Sequence, residues 1–288
     1  MSGPRRARLA ALATGIVAAV SMLQASSVSA KFDHPGNRAP LSSRYIGWLQ
    51  QDEVAIASAA EDNRLLALQP TGNGFLARMV LNLELANAGY RYRQAIRKEQ
   101  SDLLQIASEP DVAEAVIRDA TPNLALVVRD TSDAWYSIWR MAGIDEFNLV
   151  RIHPHPMDGA VPSPQLLGYY RTSGAHYQVD WSFLASINFI ESDFGRINGP
   201  SSAGAIGPMQ FLPSTWSAYG TGDVSNPRDA IEAAALYLFL HGSLRNMDGA
   251  IFAYNHDTDY VRAITDYADL MRRDPAWLDR FYYWNTSG

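Results

Sequence analysis

Apolar residues in this chain recur at spacings of three and four, without the strict one-by-one alternation of strands, and that periodicity makes helices the elements it can build. From the N-terminal segment to about residue 160 the pattern is helical, punctuated by capping and breaking residues. Thr71-Gly72-Asn73-Gly74 reads as a loop. After it, Leu76, Met79, Val80, Leu83 and Ala86 form a stripe expected to pack against neighbouring helices. Pro110 and Pro122 each stand where a new helix can start. The fold class expected is all-α.

The first thirty residues read as a secretory signal: Arg5, Arg6 and Arg8, an apolar core from Leu9 to Val20, and a small-residue cleavage site at Val28-Ser29-Ala30. The apolar run is roughly a dozen residues, short of the ~20 that span a bilayer, so a cleaved chain beginning near Lys31 is expected, with no stable membrane insertion. Arg5-Arg6 fits the twin-arginine pattern poorly, which leaves ordinary Sec export and a secreted, periplasmic or wall-associated location. The chain has no cysteine, so neither disulfides nor a cysteine-borne lipid can hold it, and stability must come from its core. Cleavage removes three arginines and no acids, taking the net charge from -6 to -9, which argues against nucleic acid as partner and suits a weakly charged polymer. A monomer is expected.

His153-Pro154-His155-Pro156, followed by Pro162 and Pro164, reads as a linker, because repeated prolines cannot continue a helix. It separates a helical region of unknown role, residues 31–160, from a second domain, residues 161–288. His153 and His155 have no companions at ligand spacing, so no metal is expected, and no cofactor motif is present. Arg91, Arg93, Arg97 and Lys98, interleaved with Tyr90 and Tyr92, read either as a basic aromatic patch or, preferably, as a solvated helix face.

The chemistry concentrates after Asp180. Asp180 can cap a helix along which Phe183, Ile187, Ile190 and Phe194 make an apolar stripe ended by Gly195. At 100° per residue Glu191 falls on the edge of that stripe, beside Asn188. A carboxyl held against a core resists ionisation, so its pKa rises toward the range in which it can donate a proton near neutrality. The plain alternative is a structural ion pair with Arg196. The segment Gly199–Phe211 is too rich in glycine and small residues for a regular element, and lets backbone approach a ligand. Within it, Gln210 can both donate and accept, as sugar hydroxyl and acetamide groups demand. Trp277, Phe281, Tyr282, Tyr283 and Trp284 form an aromatic tail expected to clamp the terminus onto the core.

Glu191-Ser192, then Gly204-Ala205-Ile206-Gly207-Pro208-Met209-Gln210, then Ala253-Tyr254-Asn255 resemble, in order and spacing, the three-motif signature of the soluble lytic transglycosylases of glycoside hydrolase family 23. The resemblance covers about residues 165 to 265, and Leu167-Gly168-Tyr169-Tyr170-Arg171 and Asn226-Pro227-Arg228-Asp229-Ala230 make it most similar to the exported actinobacterial branch. It implies a lysozyme-like catalytic domain acting on peptidoglycan glycan strands. It further implies Glu191 as the single acid and base, Gln210, Ser201 and Asn255 as substrate-binding residues, and Tyr254 with its hydroxyl toward Glu191. The implied reaction cleaves the β-1,4 bond between N-acetylmuramic acid and N-acetylglucosamine and leaves a 1,6-anhydro ring, with no cofactor. Hydrolysis by a goose-type-lysozyme-like site, or wall binding without turnover, are the alternatives. Pro208 and His256-Asp257 depart from the family's usual Leu and Ala-Gly at these places.

Overall fold

The computed structural model describes residues 40–70, 74–143, 159–197 and 199–284, and among them the chain forms eleven helices and one isolated antiparallel bridge, Ile206–Phe211. The expected all-α class holds. The signal segment, the His153–Pro156 linker and most of the Thr71–Gly74 loop lie outside the described residues. The chain divides into two compact units, Ala30–Val128 and Arg129–Asn285.

The first unit is built on a helical hairpin of α1 (Leu41–Ala67) and α2 (Phe75–Ala107), with α3 (Pro110–Asp119) packed on both. Pro110 opens α3 and Pro122 opens α4 (Pro122–Met141), as their fixed φ and missing N–H favour. Tyr45, Leu49 and Ile56 of α1 meet a core completed by Ile96, Leu103 and Ile106 of α2 and Val116 of α3. One polar knot sits in this hairpin: Lys98 Nζ pairs with the buried Asp52 at 2.9 Å and with Asp102 at 2.7 Å. Burial pushes the Asp52 carboxyl up to about 6 even though Lys98 opposes the shift. Arg91 pairs with Asp62 at 3.0 Å. Two cations of the basic run are thus neutralised within the hairpin, as a solvated helix face requires.

The stripe of Leu76, Met79, Val80 and Leu83 departs from expectation. These side chains do not pack; they are 50 to 69% exposed. The face of α2 that α1 covers is instead the opposite one, where Leu81 and Leu85 are half-buried and Ala88 is buried.

In the second unit α6 (Trp181–Ser192) is the central element, contacted by α5 (Ser163–Tyr177), α8 (Pro227–Leu240), α10 (Thr258–Arg273) and α11 (Ala276–Trp284). Asp180 caps it as expected, its Oδ1 accepting from the Ser182 N–H at 2.9 Å. Every residue from Ser182 to Ile190 is buried, so the helix has no single apolar stripe but is enclosed on all sides. Phe189 explains the enclosure: its ring lies 5.2 Å from Phe194, 5.2 Å from Tyr267 and 5.3 Å from Phe281. The aromatic tail therefore closes on the core, with Trp277, Phe281, Tyr282 and Trp284 buried.

α8 starts as its sequence dictates, Asn226 Oδ1 accepting from Arg228 N–H at 3.0 Å and Pro227 in the first turn. It ends in a Schellman arrangement, Gly242 at φ 89° with Ser243 N–H on the Leu238 carbonyl at 3.1 Å. Its packed face is small: Ala230, Ala233, Ala234 and Ala235 let it approach α5 closely, while Leu240 is 58% exposed. Truncating the residue on which the aromatic core converges, Phe189→Ala, should cost about 3–5 kcal/mol in chemical denaturation, whereas Leu240→Ala should cost less than about 1 kcal/mol.

Candidate active site

Glu191 stands in the last turn of α6, at the point where burial ends: its helix neighbours on both sides are buried and it is partly exposed. Beyond Ser192 the backbone does not wait for Gly195 to leave the helix. Asp193 (φ 49°) and Phe194 (φ 61°) already occupy the left-handed region, followed by Gly195 at φ 84°. Two non-glycine residues in that region are a local strain that surrounding contacts must hold, and it sits directly beside Glu191.

Burial pushes the Glu191 carboxyl up from 4.5 to about 7, while a hydrogen bond from the Tyr260 hydroxyl to its Oε1, at 2.7 Å, works the other way. No charged neighbour contributes to the shift. The C-terminal end of α6 carries partial negative charge, which disfavours the anion further. Arg196, the alternative partner, is engaged elsewhere: it pairs with Asp193 at 3.3 Å and lies 4.0 Å over the Tyr282 ring. The other glutamate of this region, Glu232, is on α8 and accepts from Ser173 at 2.6 Å and His176 at 2.8 Å. Among the described residues no group of three or more metal-ligating side chains occurs.

The glycine-rich segment is an ordered loop latched to α6. The Asn188 amide donates to the Pro208 carbonyl at 2.7 Å, the Ser192 hydroxyl donates to the same oxygen, and Tyr170 of α5 holds Asn188 by donating to its Oδ1 at 2.6 Å. Pro208 thus contributes its carbonyl, which Leu would equally supply, and this departure from the family pattern leaves the latch intact. Gly207 cannot be replaced: its φ is 77° and a Cβ there would lie 2.2 Å from the Val224 carbonyl oxygen. Ser201 is buried, its Oγ accepting from the Ala205 N–H at 3.0 Å, so it shapes the loop from within. Gln210 sits at φ 48° and its Nε2 donates to the Gly207 carbonyl at 2.9 Å, which leaves the second N–H and Oε1 to offer a ligand.

Tyr254 does not hold Glu191. It ends α9 (Met247–Tyr254), and its hydroxyl donates to the Met209 carbonyl at 2.6 Å, a second latch on the loop, because the chain leaves α9 on the loop side. Its phenol is nonetheless close enough to Glu191 for that carboxylate to help burial raise its pKa. Asn255 is the C-cap of α9 and half-buried. The tyrosine that reaches Glu191 is Tyr260, fully buried in the first turn of α10. Its signal in the sequence is that of a phenol at helical spacing among apolar residues, which needs a hydrogen-bond partner once buried. The family departure at His256-Asp257 has a use here, since Asp257 Oδ1 caps α10 by accepting from the Asp259 N–H at 2.7 Å and so fixes the turn that carries Tyr260.

One partly desolvated carboxyl, one phenol donor and a latched loop can together transfer a proton to an acceptor and take one back. The family model of the transglycosylase SLT domain matches residues 168–269, a range that includes Glu191, the loop, Tyr254 and Tyr260. Comparison with curated proteins and with solved structures gives no match.

A folded-state pKa above the unfolded value means that stability is lost as pH rises between 4.5 and about 7. Glu191→Gln, which keeps an acceptor for Tyr260, should therefore unfold at higher denaturant than the parent at pH 8, by up to about 3 kcal/mol, and match it below pH 4.5.

Proposed function

We propose that the chain is a lytic transglycosylase acting on peptidoglycan, with Glu191 as its acid and base; the match of residues 168–269 to the transglycosylase SLT domain model supports this reading. In this reading Glu191 protonates the oxygen of the β-1,4 bond between N-acetylmuramic acid and N-acetylglucosamine as the C1–O bond breaks. The carboxylate so formed then takes the proton of the muramoyl 6-hydroxyl while that oxygen bonds to C1, closing the 1,6-anhydro ring and returning Glu191 to its starting state. No water enters. The nucleophile is tethered to its target, a proximity advantage that a second-order attack lacks.

The observation that carries the reading is the Glu191 carboxyl beside the glycine-rich loop, raised to about 7 by burial, with the Tyr260 hydroxyl on its Oε1 and no charged group acting on it. Most glycosidases place two carboxylates about the bond, one serving as nucleophile or as base for water. A site with one needs its nucleophile from the substrate. Tyr260 complements it by donating to Oε1, which steadies the anion in the interval when the proton is away. Gln210 through its second N–H and Oε1, with Asn255, lines the glycan cleft; Ser201 and Tyr254 act on substrate by holding the loop that presents Gln210. The substrate places the protein outside the cytoplasm, in keeping with the export signal expected at residues 1–30. No helix among the described residues is long and apolar enough to cross a membrane.

Glu191→Gln should lower digestion of purified sacculi by at least about a hundredfold. Wild-type products should be one water lighter than hydrolytic muropeptides by mass spectrometry; products of full hydrolytic mass would make the enzyme a muramidase instead. Because the donor must be protonated, activity should fall as pH rises through about 7. Tyr260→Phe removes a hydrogen bond that favours the anion, so its pH–rate profile should lose activity at a higher pH than wild type, alongside a lower maximum rate.

A further inference from the structure

In the first unit α2 carries large apolar side chains on two opposite faces, and among the described residues only one of them is covered. Leu81, Leu85 and Ala88 lie on the side that α1 packs. At 100° per residue the opposite side presents Phe75, Leu76, Met79, Val80, Leu83 and Tyr90, at 75, 69, 53, 50, 61 and 53% exposure. A helix apolar on both sides is the middle layer of a packed structure, and single exposed leucines are ordinary where such a row is not. Arg78 is the sole charged residue between Leu65 and Leu83, so the face begins next to an uncharged hairpin end.

The spacing identifies what covers it. Leu76, Leu83 and Tyr90 recur every seven residues, and Met79 and Ala86 fall at the intervening fourth position, the a and d pattern by which one helix seats against another. We propose that the occupant is a second copy of this chain, whose α2 lies antiparallel against the first about a two-fold axis at Leu83. A pairing of that hand sets Leu76 against Tyr90, Val80 against Ala86 and Met79 against Asn87, large beside small, and opposes the two helix dipoles. The parallel pairing sets Tyr90 on Tyr90 and leaves Ala86 facing Ala86 across a gap. Side chains of this size at these exposures offer roughly 600–700 Å² per copy, so the pair buries about 1,300 Å², within the ~1,200–2,000 Å² of specific interfaces. A dimer departs from the monomer expected on sequence grounds.

The absence of cysteine makes the test direct. Light scattering on the full purified chain should return twice the mass of one protein, and Leu83→Glu should return the single mass with an unchanged helical circular dichroism spectrum. Under mild oxidation Leu83→Cys should cross-link to itself in high yield. Leu76→Cys alone should not, whereas a mixture of Leu76→Cys with Tyr90→Cys should. Self-linking of Leu76→Cys as efficient as that of Leu83→Cys would overturn the antiparallel arrangement. A wild-type mass of one chain, with no cross-linking of Leu83→Cys, would overturn the proposal altogether, as would wild-type binding to phosphatidylglycerol vesicles in its place.

Discussion

A carboxyl partly withheld from water at the end of an enclosed helix is the constraint on which the second unit turns. Glu191 can be held near a pKa of about 7 only because the nine residues before it are buried and the chain after Ser192 turns away at once. The aromatic cluster about Phe189, the Asp180 cap and the left-handed turn at Asp193 and Phe194 all serve that placement. The cost is borne by the fold: an ionised carboxylate there destabilises the native state, and the unshifted alternative would be useless as a proton donor.

Polar groups around Glu191 divide into those that touch it and those that hold what lies opposite. Tyr260 alone, among the described residues, donates to it. Asn188, Ser192 and Tyr254 converge on the carbonyls of Pro208 and Met209, so that the two sides of the site are pinned to one another through backbone oxygens and tolerate changes in the loop's side chains. That arrangement explains how Pro208 and His256-Asp257 can depart from the usual family residues without dismantling the site.

Much of this was legible in the sequence because it is local. The cap at Asp180, the proline starts of α3 and α4, and the placement of Glu191 at a core edge each depend on a few adjacent residues and on helical period. What was not legible depends on long-range choice. Tyr254, half-buried, and Tyr260, buried, stand six residues apart, and local pattern does not tell which of them meets Glu191. The stripe on α2 looks like any packing face, yet α1 covers the opposite side, a matter of helix phase that periodicity cannot resolve when both faces are apolar. Likewise Leu240 fits a helical stripe but lies beyond the alanine face that α5 contacts.

The central claim is a protonation state, so the direct measurement is the side-chain carboxyl ¹³C resonance of Glu191 followed through a pH titration by NMR, assigned by its disappearance in Glu191→Gln. An inflection near 7 is expected, well above the 4.5 of an ordinary glutamate. An inflection at 4.5 or below would contradict the claim, because the group would then be an anion at neutral pH with no proton to give.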